Sequence, residues 1–310
     1  MKKEELKLHD LVCGQDPDAI TAEIISIVGM VADDFDSVRF RTAMQDLVRL
    51  FGGEYPGFRA SNTSYHDLEH TCAVVLAVAR LLHGLQLDNG IRFSGAQVLV
   101  ALMAAIFHDT GLILKTEEQD GSGARNMVGH EKRSIELAAN YMESHGFGAE
   151  ERGDCGAIIM ATMLGHPLPE IPFRDEATLL LGKVLGSADL VAQMADRAYL
   201  EKLLLLYREF VEAGVKGYQS ELDLLRKTSD FYRSLAQPRL VEDMDNVKRV
   251  LRSHFWVRWG IDRDLYAEAI DSNLFYLEKL LNECGDAYTC YQKKLNRGGG
   301  NQQGNGKGGC

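Results

Sequence analysis

Apolar residues recur along this chain at intervals of three and four, the spacing of one face of an α-helix, and strand-type alternation is hard to find. The segment 17–30 places Ile20, Ile24, Ile25 and Val28 on one stripe, and 38–50 repeats the pattern through Met44, Leu47 and Val48. Gly52, Gly53, Pro56 and Gly57 then break the chain, and Asn62-Thr63-Ser64 offers capping chemistry for a helix beginning near Tyr65. That helix carries Leu68, Cys72, Val75, Val78 and Leu82 and fades at His83-Gly84. After an Asn89-Gly90 turn, Ser94 caps the next helix, which is apolar on every side over 98–107 and so must be central to the core. A polar loop over 115–127 leads to a helix from about His130 to His145, closed by Gly146 as a left-handed cap. Further helices are expected at about 150–163 and 175–197, and four more helical segments follow Tyr199.

With six prolines in 310 residues, the pattern predicts an all-α fold. The expected organisation is an N-terminal helical pair (1–59), a helical core (60–197), a C-terminal helical extension (198–296) that walls a pocket or forms a homodimer surface, and a tail. That tail, 297–310, is rich in glycine and lacks large apolar side chains, so it is expected to be disordered. Trp256 and Trp259 are expected in the core of the extension.

Hydrophobic residues make up 45% and charged residues 25%, ordinary values for a globular protein. The net charge of −11 argues against a nucleic-acid polymer as partner. The longest purely apolar run, 98–107, is about half of the ~20 residues that cross a bilayer, so no membrane span is expected. No signal-like segment opens the chain, and a cytoplasmic location is expected. The six cysteines form no C-x-x-C pair and are read as reduced thiols.

Chemistry enters with Tyr65-His66-Asp67-Leu68-Glu69-His70, whose two histidines sit four apart. Alone, the pair reads better as surface or locally hydrogen-bonded histidines. His108-Asp109 follows directly on the apolar run, where an unpaired carboxylate would be costly and a divalent cation is a natural partner; a mutual cap is the alternative. His130 opens one helix, His166 ends another, and Asp189 interrupts an apolar stripe with Leu181 and Leu185. Gln193 and Asp196 follow Asp189 at helical spacing and can orient substrate or water. Arg125, Lys132 and Arg133 flank His130 and can meet phosphate oxygens, or lie solvated.

Taken in order, His70, His108-Asp109, His130, His166 and Asp189 resemble the HD-domain metal-dependent phosphohydrolase superfamily, whose signature is H…HD…D on a helical scaffold. The added histidines are similar to those of its two-metal variant, seen in HD-GYP-type proteins. The YHDLEH element is similar to the Y-H-N-x-x-H of cyclic-nucleotide phosphodiesterases, with Asp67 in place of Asn. Leu112 stands where those enzymes continue HDxxH. The resemblance covers roughly 60–195. It implies a first metal on His70, His108, Asp109 and Asp189, and a second bridged by Asp109 and bound by His130 and His166. The two divalent cations, Mn, Fe, Zn or Mg, would activate a shared water at Asp109, and His66 would protonate the leaving oxygen. Gln193, Arg125 and Lys132 are candidate substrate contacts. The implied substrate is a small phosphodiester such as a cyclic nucleotide; a nucleotide phosphatase or triphosphohydrolase on the same site, and a non-catalytic metal- or nucleotide-binding signalling module, are the alternatives.

Overall fold

The computed structural model describes residues 3–295, and the tail expected over 297–310 lies outside the described residues. The described chain is helical, with no strand in it, as expected. Helices α1 (Pro17–Val28) and α2 (Ser37–Gly52) come first, capped by the carboxylates of Asp16 and Asp36. α3 (Leu68–Asn89) and α4 (Gly95–Phe107) follow. α5 (His130–Ser144), α6 (Ala149–Met160) and α7 (Glu176–Ala195) complete the set expected up to residue 197. Beyond it lie α8 (Tyr199–Glu212), α9 (Glu221–Phe231), α10 (Leu251–Trp259), α11 (Leu265–Cys284) and α12 (Tyr288–Lys294).

α3 is the axis of the molecule, packed between α1, α4, α7 and α10. Its residues 70–72 and 74–85 are all buried, and α4 is buried over 98–107, so both are held on every side. Each large aliphatic side chain so buried contributes about 1.5–3 kcal/mol, which makes these two helices a rigid mount for whatever their ends carry. By composition α3 and the run Gly95–Leu112 are long and apolar enough to span a bilayer, contrary to the reading of apolar runs alone. Their residues are 83% and 89% buried inside the protein, so their apolar surface is already covered.

Four expectations are corrected. The helix after the glycine-rich break starts at Leu68 and not near Tyr65, because Asp67 is the cap and its carboxylate accepts from the His70 amide at 2.8 Å. Asn62 instead ties the preceding loop to Gly121 and Gly123. The helix does not fade at His83-Gly84: the missing side chain of Gly84 lets the Val250 carbonyl approach where a Cβ would lie 2.4 Å from its oxygen. Cys284 and Cys290 form a disulfide and Cys13 is also bonded, whereas Cys72 and Cys155 are free and buried. Trp256 is 57% exposed on α10, while Trp259 packs partly buried against the core.

Candidate metal centre

The end of α4 and the start of α3 meet at one point. His70 lies in the first turn of α3, and His108 and Asp109 follow directly on α4. His70 Nε2 is 3.4 Å from Asp109 Oδ2 and 3.3 Å from Asp189 Oδ1. His108 Nε2 is 3.2 Å from Asp109 Oδ2 and 3.8 Å from Asp189 Oδ1. Asp189 arrives from the middle of α7, which packs along α3. Four side chains with metal-ligand chemistry, from three helices and their ends, therefore face one volume. On the other side of Asp109, His130 Nε2 is 3.1 Å from Oδ1.

Gly111 fixes this last approach. The turn after Asp109 lies so close to the start of α5 that a Cβ on Gly111 would sit 2.1 Å from the His130 carbonyl oxygen. Its amide donates to Ser134 Oγ at 2.9 Å, and Arg133 Nε donates to its carbonyl at 2.8 Å. Thus Gly111, two residues after Asp109, clamps the helix that carries His130.

The ring tautomers point the same way. His108 Nδ1 is 2.8 Å from the Ala105 carbonyl and His130 Nδ1 is 2.7 Å from the Met127 carbonyl, so each Nδ1–H is donated to backbone and each Nε2 is turned to the acids. Such outer bonds orient ligating histidines in metal sites. His108 Nε2 and Asp109 Oδ2 are buried and have no hydrogen-bond partner, although they lie close together. Two orphaned buried ligand atoms of nitrogen and oxygen type are what a divalent cation of intermediate hardness satisfies. His70, His108 and Asp109 also meet the spacing of a metal-binding group.

Electrostatics add a second line. Burial works against charge on all these groups, yet the three neighbouring imidazoles hold Asp109 well below the usual carboxylate range. Burial would lower the His70 pKa, but the carboxylates of Asp109 and Asp189 beside it prevail and raise it to about 10. His130 is likewise raised to about 9 against its burial, chiefly by Asp109. Positive charge is drawn to this point, and a cation supplies it without protons.

His66 stands in the loop before α3, not on its face, so it is not one helical turn from His70. Its ring lies 6.2 Å from those of His70 and His130. Nδ1 is 2.7 Å from Glu209 Oε2, and since a carboxylate only accepts, Nδ1 carries the proton and Nε2 is turned away from that bond. Glu209 is buried on α8, and its Oε1 accepts from the Ser64 and Tyr65 amides, both at 2.7 Å. The sequence reading missed this residue. The available signal was its position three after Leu206, on the edge of the stripe Tyr199, Leu203, Leu206, Phe210. Gln193 also reaches the site and accepts from the Tyr65 hydroxyl.

The remaining candidates lie elsewhere. His166 sits in the turn after α6, where its carbonyl accepts from Arg239 at 3.2 Å and its Nε2 is buried without a hydrogen-bond partner; no contact joins it to Asp109 or His130. Arg125 is engaged with the Asp120 carbonyl and Glu118, and Lys132 is exposed. Asp196 ends α7 and pairs with Lys202 at 2.8 Å.

A cavity of about 330 Å³ opens over the centre, in the size range of small-molecule sites. His66, His70, Asp109, His130, Asp189 and Gln193 line one part of it, and residues of α8, α9 and the loop between them line much of the rest, together with Glu131, Thr162 and Leu164.

Comparison with known proteins agrees with this arrangement. The HD domain family matches residues 68–206, the stretch that carries His70, His108, Asp109, His130 and Asp189, so this part of the chain is similar to an HD domain. HD domains belong to a superfamily of metal-dependent phosphohydrolases, and it is to these that the stretch is similar. A second family, Npun_R2479-like, matches residues 159–259, the stretch that supplies Asp189, Gln193 and Glu209. No curated protein matches the chain.

Proposed function

We propose that this protein is a phosphodiesterase that hydrolyses a small phosphoester at the His70, His108, Asp109 and Asp189 centre. The observation carrying this reading is the orphaned pair His108 Nε2 and Asp109 Oδ2, buried at the end of a cavity that His66 also lines. Bound there, a divalent cation would polarise phosphoryl oxygens and lower the pKa of a water. The protein's own groups do the rest. Asp109 accepts a hydrogen bond from the attacking water, whose proton is lost to solvent, and α4, fixed in the core, holds that acceptor still. His66 in its doubly protonated form, with its Nδ1–H kept on Glu209, delivers the proton of Nε2 to the leaving oxygen as the P–O bond breaks.

The test is turnover of bis-p-nitrophenyl phosphate with Mn, Mg, Fe or Zn added to metal-stripped protein. Wild type should retain metal through gel filtration and release nitrophenolate. Asp109→Asn should lose both. Metal retention by Asp109→Asn equal to wild type, or no release by wild type with any of the four metals, overturns the proposal.

A further inference from the structure

The cavity is divided in kind. One end is the polar centre; the other is walled by Leu203, Leu206, Phe210, Val215, Leu224 and Phe231 from α8, α9 and the loop between them. The polar side chains along that wall are mostly occupied by their own surroundings. Thr228 Oγ1 donates to the Leu224 carbonyl at 2.9 Å. Lys227 Nζ donates to Asp223 at 2.9 Å and to the Gly217 carbonyl at 2.8 Å, and lies 5.6 Å from the Tyr218 ring. Tyr218 in turn stacks on Phe210, with centroids 5.4 Å apart. What remains on that wall to read a polar group is the phenolic hydroxyls of Tyr199 and Tyr218, one N–H of Lys227 and the acceptor side of Thr228, while Gln193, Glu131 and Thr162 join the lining from other elements.

A nucleobase edge and a sugar carry several donors and acceptors, and each one left unmatched on a desolvated wall costs roughly tenfold in affinity. A hydrocarbon loses nothing there and gains about threefold per buried methylene. Resting on the hydrolase reading above, we infer that the substrate is a phosphoester of a hydrophobic alcohol, with its hydrocarbon group seated against the α8–α9 wall and its phosphate on the histidine–aspartate centre. Hydrolysis adds water across one P–O bond, with the hydroxyl going to phosphorus and the proton to the departing oxygen.

The experiment measures kcat/KM of the full chain, Mn added, on p-nitrophenyl alkyl phosphates from methyl through butyl to octyl, with 3′,5′-cyclic AMP alongside. Wild type should gain about threefold per methylene over the first several carbons. Leu206→Asn on α8 and Phe231→Ser on α9 should each lower the octyl-to-methyl ratio by tenfold or more, a ratio taken within one variant and so insensitive to the fraction folded. A flat chain-length series, a ratio unchanged in both variants, or cyclic AMP turned over with a higher kcat/KM than the octyl ester overturns the inference and leaves the hydrolase reading standing. Failure of every ester with every metal removes the hydrolase reading and this inference with it.

Discussion

Replacing Glu209 by Gln isolates one bond of the centre. Oε1 of Glu209 holds the Ser64 and Tyr65 amides, and an amide oxygen can take over both bonds at the same 2.7 Å. Oε2 accepts from His66 Nδ1, also at 2.7 Å, and there the substituted NH₂ can only donate. The variant therefore keeps the loop and loses a charge-assisted bond of about 1.5–3 kcal/mol. Glu209→Ala is the poorer choice, since it strips two backbone donors at once. A positioned general acid contributes roughly 10²–10⁴-fold, and only when the leaving oxygen needs a proton. With Mn added, Glu209→Gln should slow a diester that expels an alkanol by about 10²-fold, and bis-p-nitrophenyl phosphate by only a few-fold. Metal content should stay at the wild-type level, because Glu209 contacts none of the four ligands. Equal slowing on both esters would refute the assignment of His66 as acid and of Glu209 as the residue that positions it.

Two further outcomes follow from the same geometry. In metal-free protein His70 titrates near 10 and His130 near 9, so both hold protons at neutral pH, and a cation that takes Nε2 must displace them. Mn binding should tighten as pH rises toward 9–10, and its calorimetric enthalpy at pH 7.5 should vary with the ionisation enthalpy of the buffer; a buffer-independent enthalpy contradicts the charge state described. Gly111→Ala puts a methyl where the His130 carbonyl and the Ser134 amide already stand, 2.1 and 2.8 Å away. The start of α5 must give, at about 1–3 kcal/mol of stability, seen as a lower melting temperature together with weaker metal retention, whereas unchanged melting would show the turn is not tightly packed.

The helical class and the two central helices were legible because period and composition agree there: a run that is apolar on every side can only be buried. The convergence of His108, Asp109 and Asp189 was legible for the same reason, since the first two follow such a run at its end and Asp189 lies on a buried stripe within α7. What local pattern could not convey is long-range closure. His66 and His70 look like neighbours on a helix, yet Asp67 caps between them and puts His66 in a loop whose position is set by Glu209, 143 residues later. Glu209 itself reads as one acid among many on an amphipathic helix, and only its burial marks it out. The disulfide escaped for a related reason, as Cys284 and Cys290 lie at the end of α11 and within α12, and the turn between them brings the pair together.

His166 makes the same point about metal number. A first cation has four side chains facing it, but a second would have His130 and the far oxygen of Asp109, with His166 away in its turn. That turn is clasped by Arg239, whose guanidinium donates to the carbonyls of Ala161, Met163 and His166 while pairing with Asp243 at 3.0 Å. Arg239 is itself buried, so releasing the turn would strand a charge as well as break these bonds, a loss of several kcal/mol. The unsatisfied Nε2 of His166 pulls the other way, because a buried imidazole nitrogen without a partner gains from any ligand it can reach. A second cation that recruited His166 would therefore work against the hydrogen bonds of Arg239, in the C-terminal extension, and not only draw on the histidine and aspartate signature.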